Sequence, residues 1–493
     1  MTQEERFAEF RRWQDLLGAY RMALTLIGID DNAGAPPQGA SYRGARRALL
    51  TGEFRRLQKE DRMFEIVQRL YEDGGLDDDR TREVELVYRQ MVREREVPAE
   101  AYVEFEQALD RSRRDWPRAK YADDYKGFAP LLQEVADAYR NIVSLRQGEG
   151  SLYDRMLDER QPGWNRSRYD AFFAQVKECV LPIVRESAWR ELPDFLQKEY
   201  PVETQRRVMN KVLDYMGFTP DWGRISESEH PLTTGICRGD VRFTTKYRLH
   251  NPALAILSSI HESGHAWYNH QIDPAYEGTM IARSISAGMH ESQSRLCENH
   301  IGRSRSFWEV FFPVLQEAFP EQLAGVTGDG FYHAVNAVRP SLIRTEADEV
   351  TYPLHIIIRY EIEREWLEGH LDVRDLEDVW KEKYQEYLGV TPANAAEGIL
   401  QDMHWPYAYF GYFPTYALGS ALAAQFWKAL SAEIPAEEWI RTGRVPELMQ
   451  RLGERLQRYG NRYEMDELVI KATGKPFTAD DYCEYLQQKY TCL

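Results

Sequence analysis

A chain of 493 residues with 43% apolar and 12% aromatic content can bury a large core, and at this length it is expected to organise into lobes or domains. Its 79 acidic against 62 basic residues give a formal charge of −17, which repels nucleic acid and anionic lipid at long range and sets both aside as main partners. No apolar run approaches the roughly 20 residues that span a bilayer, the start Met1–Arg6 is polar and carries no secretion signal, and the five cysteines (Cys179, Cys237, Cys297, Cys483, Cys492) lie far apart without a C-x-x-C pair, which fits a reduced, cytoplasmic setting.

The chain opens in helix periodicity. Phe7, Phe10, Trp13, Leu16-Leu17 and Tyr20 recur at three- and four-residue spacing, as do Leu132, Val135, Ala138-Tyr139 and Ile142 further on. Between them the basic run from Arg43 through Arg56 to Lys59, centred on Arg46-Arg47-Ala48-Leu49-Leu50, predicts a solvated face of an amphipathic helix rather than a binding patch. Breaks fall at Ala33-Gly34-Ala35-Pro36-Pro37, Gly74-Gly75, Gln147–Gly150, Gln161-Pro162-Gly163 and Pro220-Asp221. None is long enough to be a flexible linker, so one continuous, mainly α-helical unit over 1–493 is expected.

One stretch departs from this pattern. Asp240-Val241-Arg242-Phe243-Thr244-Thr245-Lys246-Tyr247 alternates and is rich in β-branched and aromatic residues, which predicts a short strand. It is either an edge to which an extended peptide adds or a strand in a small structural sheet.

Asn251-Pro252 then predicts an N-cap and a first-turn proline for a helix that leads through Ala253–Leu257 into His261-Glu262-Ser263-Gly264-His265, an H-E-x-x-H motif. Four residues are slightly more than one turn, so the two histidines share a face and can reach one cation about 2 Å from each nitrogen. Glu262 sits roughly 100° round the helix, beside the cation, where a general base for the attacking water belongs. A third ligand must come from elsewhere. Positions 268 and 271 hold Tyr268 and Gln271, and the residue twenty beyond the second histidine is Ile285. The nearest helical carboxylate is Glu291 in Gly288-Met289-His290-Glu291-Ser292-Gln293-Ser294, on an amphipathic helix continued by Leu296 and Ile301, with Glu298 next in line. His290, beside Glu291, is expected to point away. Two histidines and a glutamate leave one position open, the pattern of catalytic rather than structural zinc.

His261–His265 followed by His290-Glu291-Ser292-Gln293 resembles the carboxypeptidase Taq family of metallocarboxypeptidases. Three further segments match that family's signatures in the same order: Asp240-Val241-Arg242-Phe243-Thr244, Ile343-Arg344-Thr345-Glu346-Ala347-Asp348, and Gly398-Ile399-Leu400-Gln401-Asp402-Met403-His404-Trp405. The flanks Glu229-His230-Pro231 and Phe410–Tyr416 agree as well. At the N-terminus the usual Trp-Asp pair before a Met-Pro segment is replaced by Ile29-Asp30 and Ala35-Pro36. The resemblance implies a mainly α fold of two lobes around a deep central groove, with a small sheet at the groove wall. It implies an N-terminal helical lobe over about 1–200, the metal and substrate motifs over about 230–420, and a homodimer. Its implied reaction is release of single residues from the free C-termini of peptides, with broad preference, using one zinc per chain or, in some members, cobalt.

An exopeptidase needs a cation to hold the substrate's terminal carboxylate, and bidentate arginine does this best. Arg344 is the first choice, with a salt bridge to Glu346, Asp348 or another acidic neighbour as its alternative. Arg242 competes for the role, although Asp240 on the same strand face can simply pair with it. With the resemblance in hand, His404 and Tyr412 are expected to donate hydrogen bonds to the oxyanion, Tyr416 substituting if Tyr412 points away, while Gln401 and Asp402 orient His404, line the substrate site or serve structure. The rival function is an oligoendopeptidase of related helical architecture, which shares H-E-x-x-H and the downstream glutamate but has no need of a free carboxylate. A non-catalytic peptide-binding protein with a structural metal has no use for Glu262.

Overall fold

Helix dominates because the apolar spacing of most segments is three and four, and the computed structural model, which describes residues 1–187, 192–228 and 231–491, bears this out. Among the described residues twenty-one α-helices accompany one three-stranded sheet. Glu229 and His230 of the flank before the strand, and Cys492, lie outside the described residues.

Two apolar cores form. The smaller gathers Phe7, Phe10, Trp13 and Leu17 of the first helix, Gln3–Ala33, with residues from the helices Asp61–Asp73 and Asp78–Arg95. Thr2 starts the first helix with a reciprocal capping box to Glu5, and Leu16, which the periodicity placed among the packed residues, faces solvent. The larger core runs from Ala108 to Leu486 and encloses the metal motif. The two are tied by Arg82, which donates from Nε to the Asn461 carbonyl at 3.0 Å and from Nη1 to Glu464 at 2.8 Å. The basic run forms the helix Ala40–Gln58, whose only buried residue is Leu57, and its arginines are offset by Asp31, Glu53 and Glu106.

The predicted strand is β3, Asp240–Thr245. It is not an edge. Gly223–Glu227 (β1) pairs with it in parallel and Thr233–Cys237 (β2) pairs antiparallel, so β3 is central and both rows of its backbone groups are already used. Of the two readings the pattern left open, the peptide-adding edge is therefore excluded and the strand in a small sheet holds; β1 and β2 carry too little alternation to have been recognised as its neighbours.

Pro252–Gln271 forms the predicted helix with Pro252 in its first turn. The cap differs from expectation: Asn251 takes a left-handed conformation (φ 51°) and its side chain makes no capping bond. Two glycines let the next layers approach. A Cβ on Gly264 would stand 2.4 Å from the Gln293 carbonyl oxygen, and one on Gly419 would stand 2.7 Å from the Cβ of Glu291. The helix Ala287–Arg295 is thereby sandwiched between Pro252–Gln271 and Phe413–Ser431, with Glu291 on its inner face. Beyond Arg295 the expected amphipathic α-helix gives way to a π-helical turn, Leu296–Gly302, closed by the Arg303 amide on the Glu298 carbonyl at 2.8 Å.

Candidate active site

The structure brings His261, His265 and Glu291 together. Oε2 of Glu291 lies 3.7 Å from Nε2 of His261 and 3.5 Å from Nε2 of His265, and all three donor atoms fall within 4.8 Å of one another. Ligands at the corners of a tetrahedron with bonds of about 2 Å stand roughly 3.3 Å apart, so two imidazoles and a carboxylate at these spacings fit a small divalent cation. Glu298 is not part of this triple. It lies behind His261, with Oε2 2.9 Å from Nδ1, and because a carboxylate only accepts, the ring proton sits on Nδ1 and the Nε2 lone pair faces the cation site. Arg295 grips both carboxylates, donating from Nε to Glu291 Oε1 at 2.9 Å and from Nη1 to Glu298 Oε2 at 3.2 Å, and stacks 3.9 Å from the centre of the Tyr352 ring. Arg303 donates to the other Glu298 oxygen at 3.2 Å.

Glu262 is buried next to the donor triple. The Thr233 hydroxyl on β2 lies 2.5 Å from its Oε2 and 3.1 Å from its own carbonyl oxygen, so one strand residue fixes both ends of the glutamate. No sequence signal singles Thr233 out. His290 does not join the donors, but it does not point into open solvent either. Its ring stacks on His265 with centroids 4.4 Å apart, and Nε2 lies 3.4 Å from Asn269 Oδ1.

A second cluster surrounds Arg344, which is 6% exposed. Its Nε and Nη2 donate to Asp402 Oδ1 at 3.1 and 2.8 Å, and Nη1 donates to the Tyr352 hydroxyl at 3.2 Å. The acidic partner is thus Asp402, not Glu346, which pairs with Arg248, nor Asp348, which accepts from the Arg339, Val350 and Thr351 amides. Arg359, fully buried, donates from Nε to Asp402 Oδ2 at 2.7 Å. Burial opposes charge on both sides of this cluster, yet the mutual attraction holds Arg344 well above and Asp402 well below their ordinary ranges. Two guanidiniums around one carboxylate leave a net positive charge. Gln401 spends its amide on backbone: Oε1 accepts from the Arg344 amide at 3.0 Å and Nε2 donates to the carbonyls of Leu342, Glu397 and Gly398. Arg242 is held by both oxygens of Asp240 at 2.8 Å each, in a partly exposed pair.

His404 is buried, its Nε2 3.0 Å from the Tyr416 hydroxyl and its Nδ1 without a hydrogen-bond partner, 3.9 Å from Asp402. Burial, followed by the charge of Arg344, pushes the imidazole down to about 3, so it is neutral across the ordinary pH range. The Tyr412 ring packs 5.3 Å from Tyr416 and 5.8 Å from His404, and burial followed by the negative charge of Glu291 pushes its hydroxyl up to about 12, so it remains a donor. Glu363, missed by sequence reasoning, anchors this loop by accepting from Tyr153, Trp405 and the Gly411 amide at 3.0, 2.5 and 2.7 Å.

Comparison with known proteins agrees with this geometry. The family model described as carboxypeptidase Taq (M32) metallopeptidase matches residues 10–490. Carboxypeptidase 1 of Bacillus subtilis is 37% identical over 479 residues, and thermostable carboxypeptidase 1 of Thermus thermophilus is 35% identical over 493, each alignment covering 96% of both chains. The crystal structure of the M32 carboxypeptidase from Deinococcus radiodurans superimposes with a TM-score of 0.95 at 33% identity, covering 99% of each chain.

Proposed function

The chain belongs to the carboxypeptidase Taq (M32) family of metallopeptidases and is a metallocarboxypeptidase, and from that premise we propose how its residues divide the work. His261, His265 and Glu291 hold one divalent metal, zinc by the chemistry of the donor set, with cobalt able to replace it. When bound, the metal supplies Lewis acidity that polarises the scissile carbonyl and makes water nucleophilic near neutral pH. Glu262, oriented by Thr233, takes the proton of the attacking water and delivers it to the departing amine. Tyr412 donates to the carbonyl oxygen as charge develops on it, and His404 either joins it directly or orients Tyr416 to do so.

Arg344 faces the terminal carboxylate of a peptide with a free C-terminus. The observation that carries this reading is the surplus positive charge of the Arg344–Asp402–Arg359 cluster, whereas the charge of Arg242 is already matched by Asp240. Gln401 fixes the Arg344 backbone, and Asp240, Arg242 and Tyr416 complete the substrate wall. Among the described residues no helix is long and apolar enough to cross a membrane. A cytoplasmic homodimer with an N-terminal lobe over about 1–200 remains part of the proposal, supported by the cysteine pattern and the family resemblance. Paired peptides test the core of it: the free acid is shortened by one residue at a time, and the same peptide amidated at its C-terminus stays intact. Equal cleavage of both overturns it.

A further inference from the structure

Two residues of the segment between Trp405 and Tyr412 stand in the left-handed region, Ala408 at φ 57° and Gly411 at φ 70°. Glycine adopts this conformation freely, but in alanine the Cβ crowds the neighbouring backbone. Ala408 is nonetheless buried, so a strained residue is held in place by its surroundings four positions ahead of Tyr412.

What holds it is the C-terminal turn of the helix Leu152–Arg160. Met156 presents its carbonyl so closely that a Cβ on Gly411 would stand 2.6 Å from the oxygen, which leaves room for glycine alone. Arg160, the last residue of that helix, donates from Nη2 to the Ala408 carbonyl at 3.3 Å and from Nε to the Phe410 carbonyl at 3.2 Å. One planar guanidinium thus bridges the carbonyls on either side of Tyr409. Together with the Glu363 carboxylate, which accepts from the Gly411 amide at 2.7 Å, it ties down the backbone around both left-handed residues. The same cation lies 5.7 Å from the centre of the Tyr409 ring and 6.0 Å from that of Tyr412. Arg295, Arg303 and Arg359 each contact a carboxylate, whereas half-buried Arg160 makes no ion pair among the described residues, and its donors go to this segment.

We propose that Arg160 is a positioning residue for peptide hydrolysis: it locks the turn from Ala408 to Gly411 so that the Tyr412 hydroxyl stands where charge develops on the scissile carbonyl oxygen. This rests on the reading of Tyr412 as the oxyanion donor. Such a donor works because its geometry is fixed before the reaction, and a displacement of about 1 Å can cost on the order of 10²-fold in rate. The rigid fork of arginine suits the task, since lysine offers a single ammonium on a flexible stem.

The test compares the metal-loaded wild type with Arg160→Met, Tyr412→Phe and the double variant on one free-acid peptide, with metal content and urea midpoint recorded for each. Tyr412→Phe is expected to lower kcat by about 10²- to 10³-fold. Arg160→Met is expected to lower it by about 10- to 100-fold, with KM and metal content unchanged. Because Arg160 acts through Tyr412, the double variant should be no slower than Tyr412→Phe, whereas an independent contribution would multiply. Ala408→Gly supplies a rescue: it relieves the left-handed strain, so in the Arg160→Met background it is expected to restore kcat several-fold. Arg160→Lys should fall between wild type and Arg160→Met. Should Arg160→Met fold poorly, Arg160→Gln, which is neutral and lacks the fork, is read in the same way. Wild-type kcat in the Arg160 variants beside an impaired Tyr412→Phe overturns this proposal alone, as do losses that multiply in the double variant. Wild-type kcat in Tyr412→Phe strikes the donor reading itself and this proposal with it.

Discussion

Nδ1 of His261 lies 2.9 Å from Oε2 of Glu298, a residue 37 positions later on the π-helical turn that continues the helix carrying Glu291. The carboxylate fixes the tautomer and raises the basicity of Nε2 without touching the cation site. Glu298→Gln is therefore expected to weaken metal binding by about 10- to 100-fold, while Glu291→Ala, which removes a donor, abolishes tight binding. Competition with a chromophoric chelator separates the two. Equal losses would mean that Glu298 is itself a ligand.

The general base is a separable function. Glu262→Gln keeps the shape and the Thr233 contact but cannot take a proton, so metal content is expected to hold while kcat falls by about 10²- to 10⁴-fold. Thr233→Val, which leaves the carboxylate free to turn, is expected to lose a smaller factor, chiefly in kcat. Wild-type turnover in Glu262→Gln would reject the assignment.

Much of this was legible in the sequence because it is local. The i, i+4 histidines, the glutamate between them and the helix they ride on follow from one turn of backbone geometry. Glu291 could be nominated since it, too, lies on a short helical motif. What stayed hidden depends on register and distance. That Glu298 backs His261 rather than binding the cation depends on how its segment packs against Pro252–Gln271, which leaves no mark on apolar spacing. That Arg344 would have an acidic neighbour could be foreseen, but not that the neighbour is Asp402, 58 residues on, shared with Arg359. Whether β3 was an edge or lay inside a small sheet stayed open because β1 and β2 alternate too weakly to read.

The Arg344 cluster changes how its role must be tested. Arg344→Ala would strip one cation from a buried carboxylate and is expected to cost about 3–5 kcal/mol of stability, so lost activity alone proves little. Arg344→Lys keeps the charge and loses the planar fork. Its kcat/KM for free-acid peptides is expected to drop by about 10- to 100-fold with unchanged metal content, since charge-assisted bidentate contacts are worth about 1.5–3 kcal/mol. Arg242→Ala, in parallel, should change free-acid cleavage little. The opposite ranking would move the carboxylate clamp to β3.

Glu363 yields a prediction in pH. Burial, opposed by the Gly411 amide and the Trp405 and Tyr153 donors, raises its carboxyl from an ordinary 4.5 to about 7. A carboxyl whose folded pKa lies above its unfolded one binds more protons in the folded state between those values, so its contribution to stability is greatest at low pH and is lost as pH rises from about 4.5 to about 7. The size is of order 3 kcal/mol, at 1.36 kcal/mol per unit. Glu363→Gln cannot titrate, and whatever constant amount it gains or loses from altered hydrogen bonds, its stability relative to wild type should climb by that order across this window and then level off. Urea unfolding of both proteins at half-unit steps from pH 4.5 to 8 measures the difference directly. A flat difference would mean that the three donors already hold Glu363 as a carboxylate at pH 4.5. The loop from Trp405 to Tyr412 would then keep its anchor at any pH where the enzyme folds. A climbing difference would mean that acidification loosens the Gly411 amide next to Tyr412, and turnover should fall on the same limb in wild type while Glu363→Gln shows no such inflection.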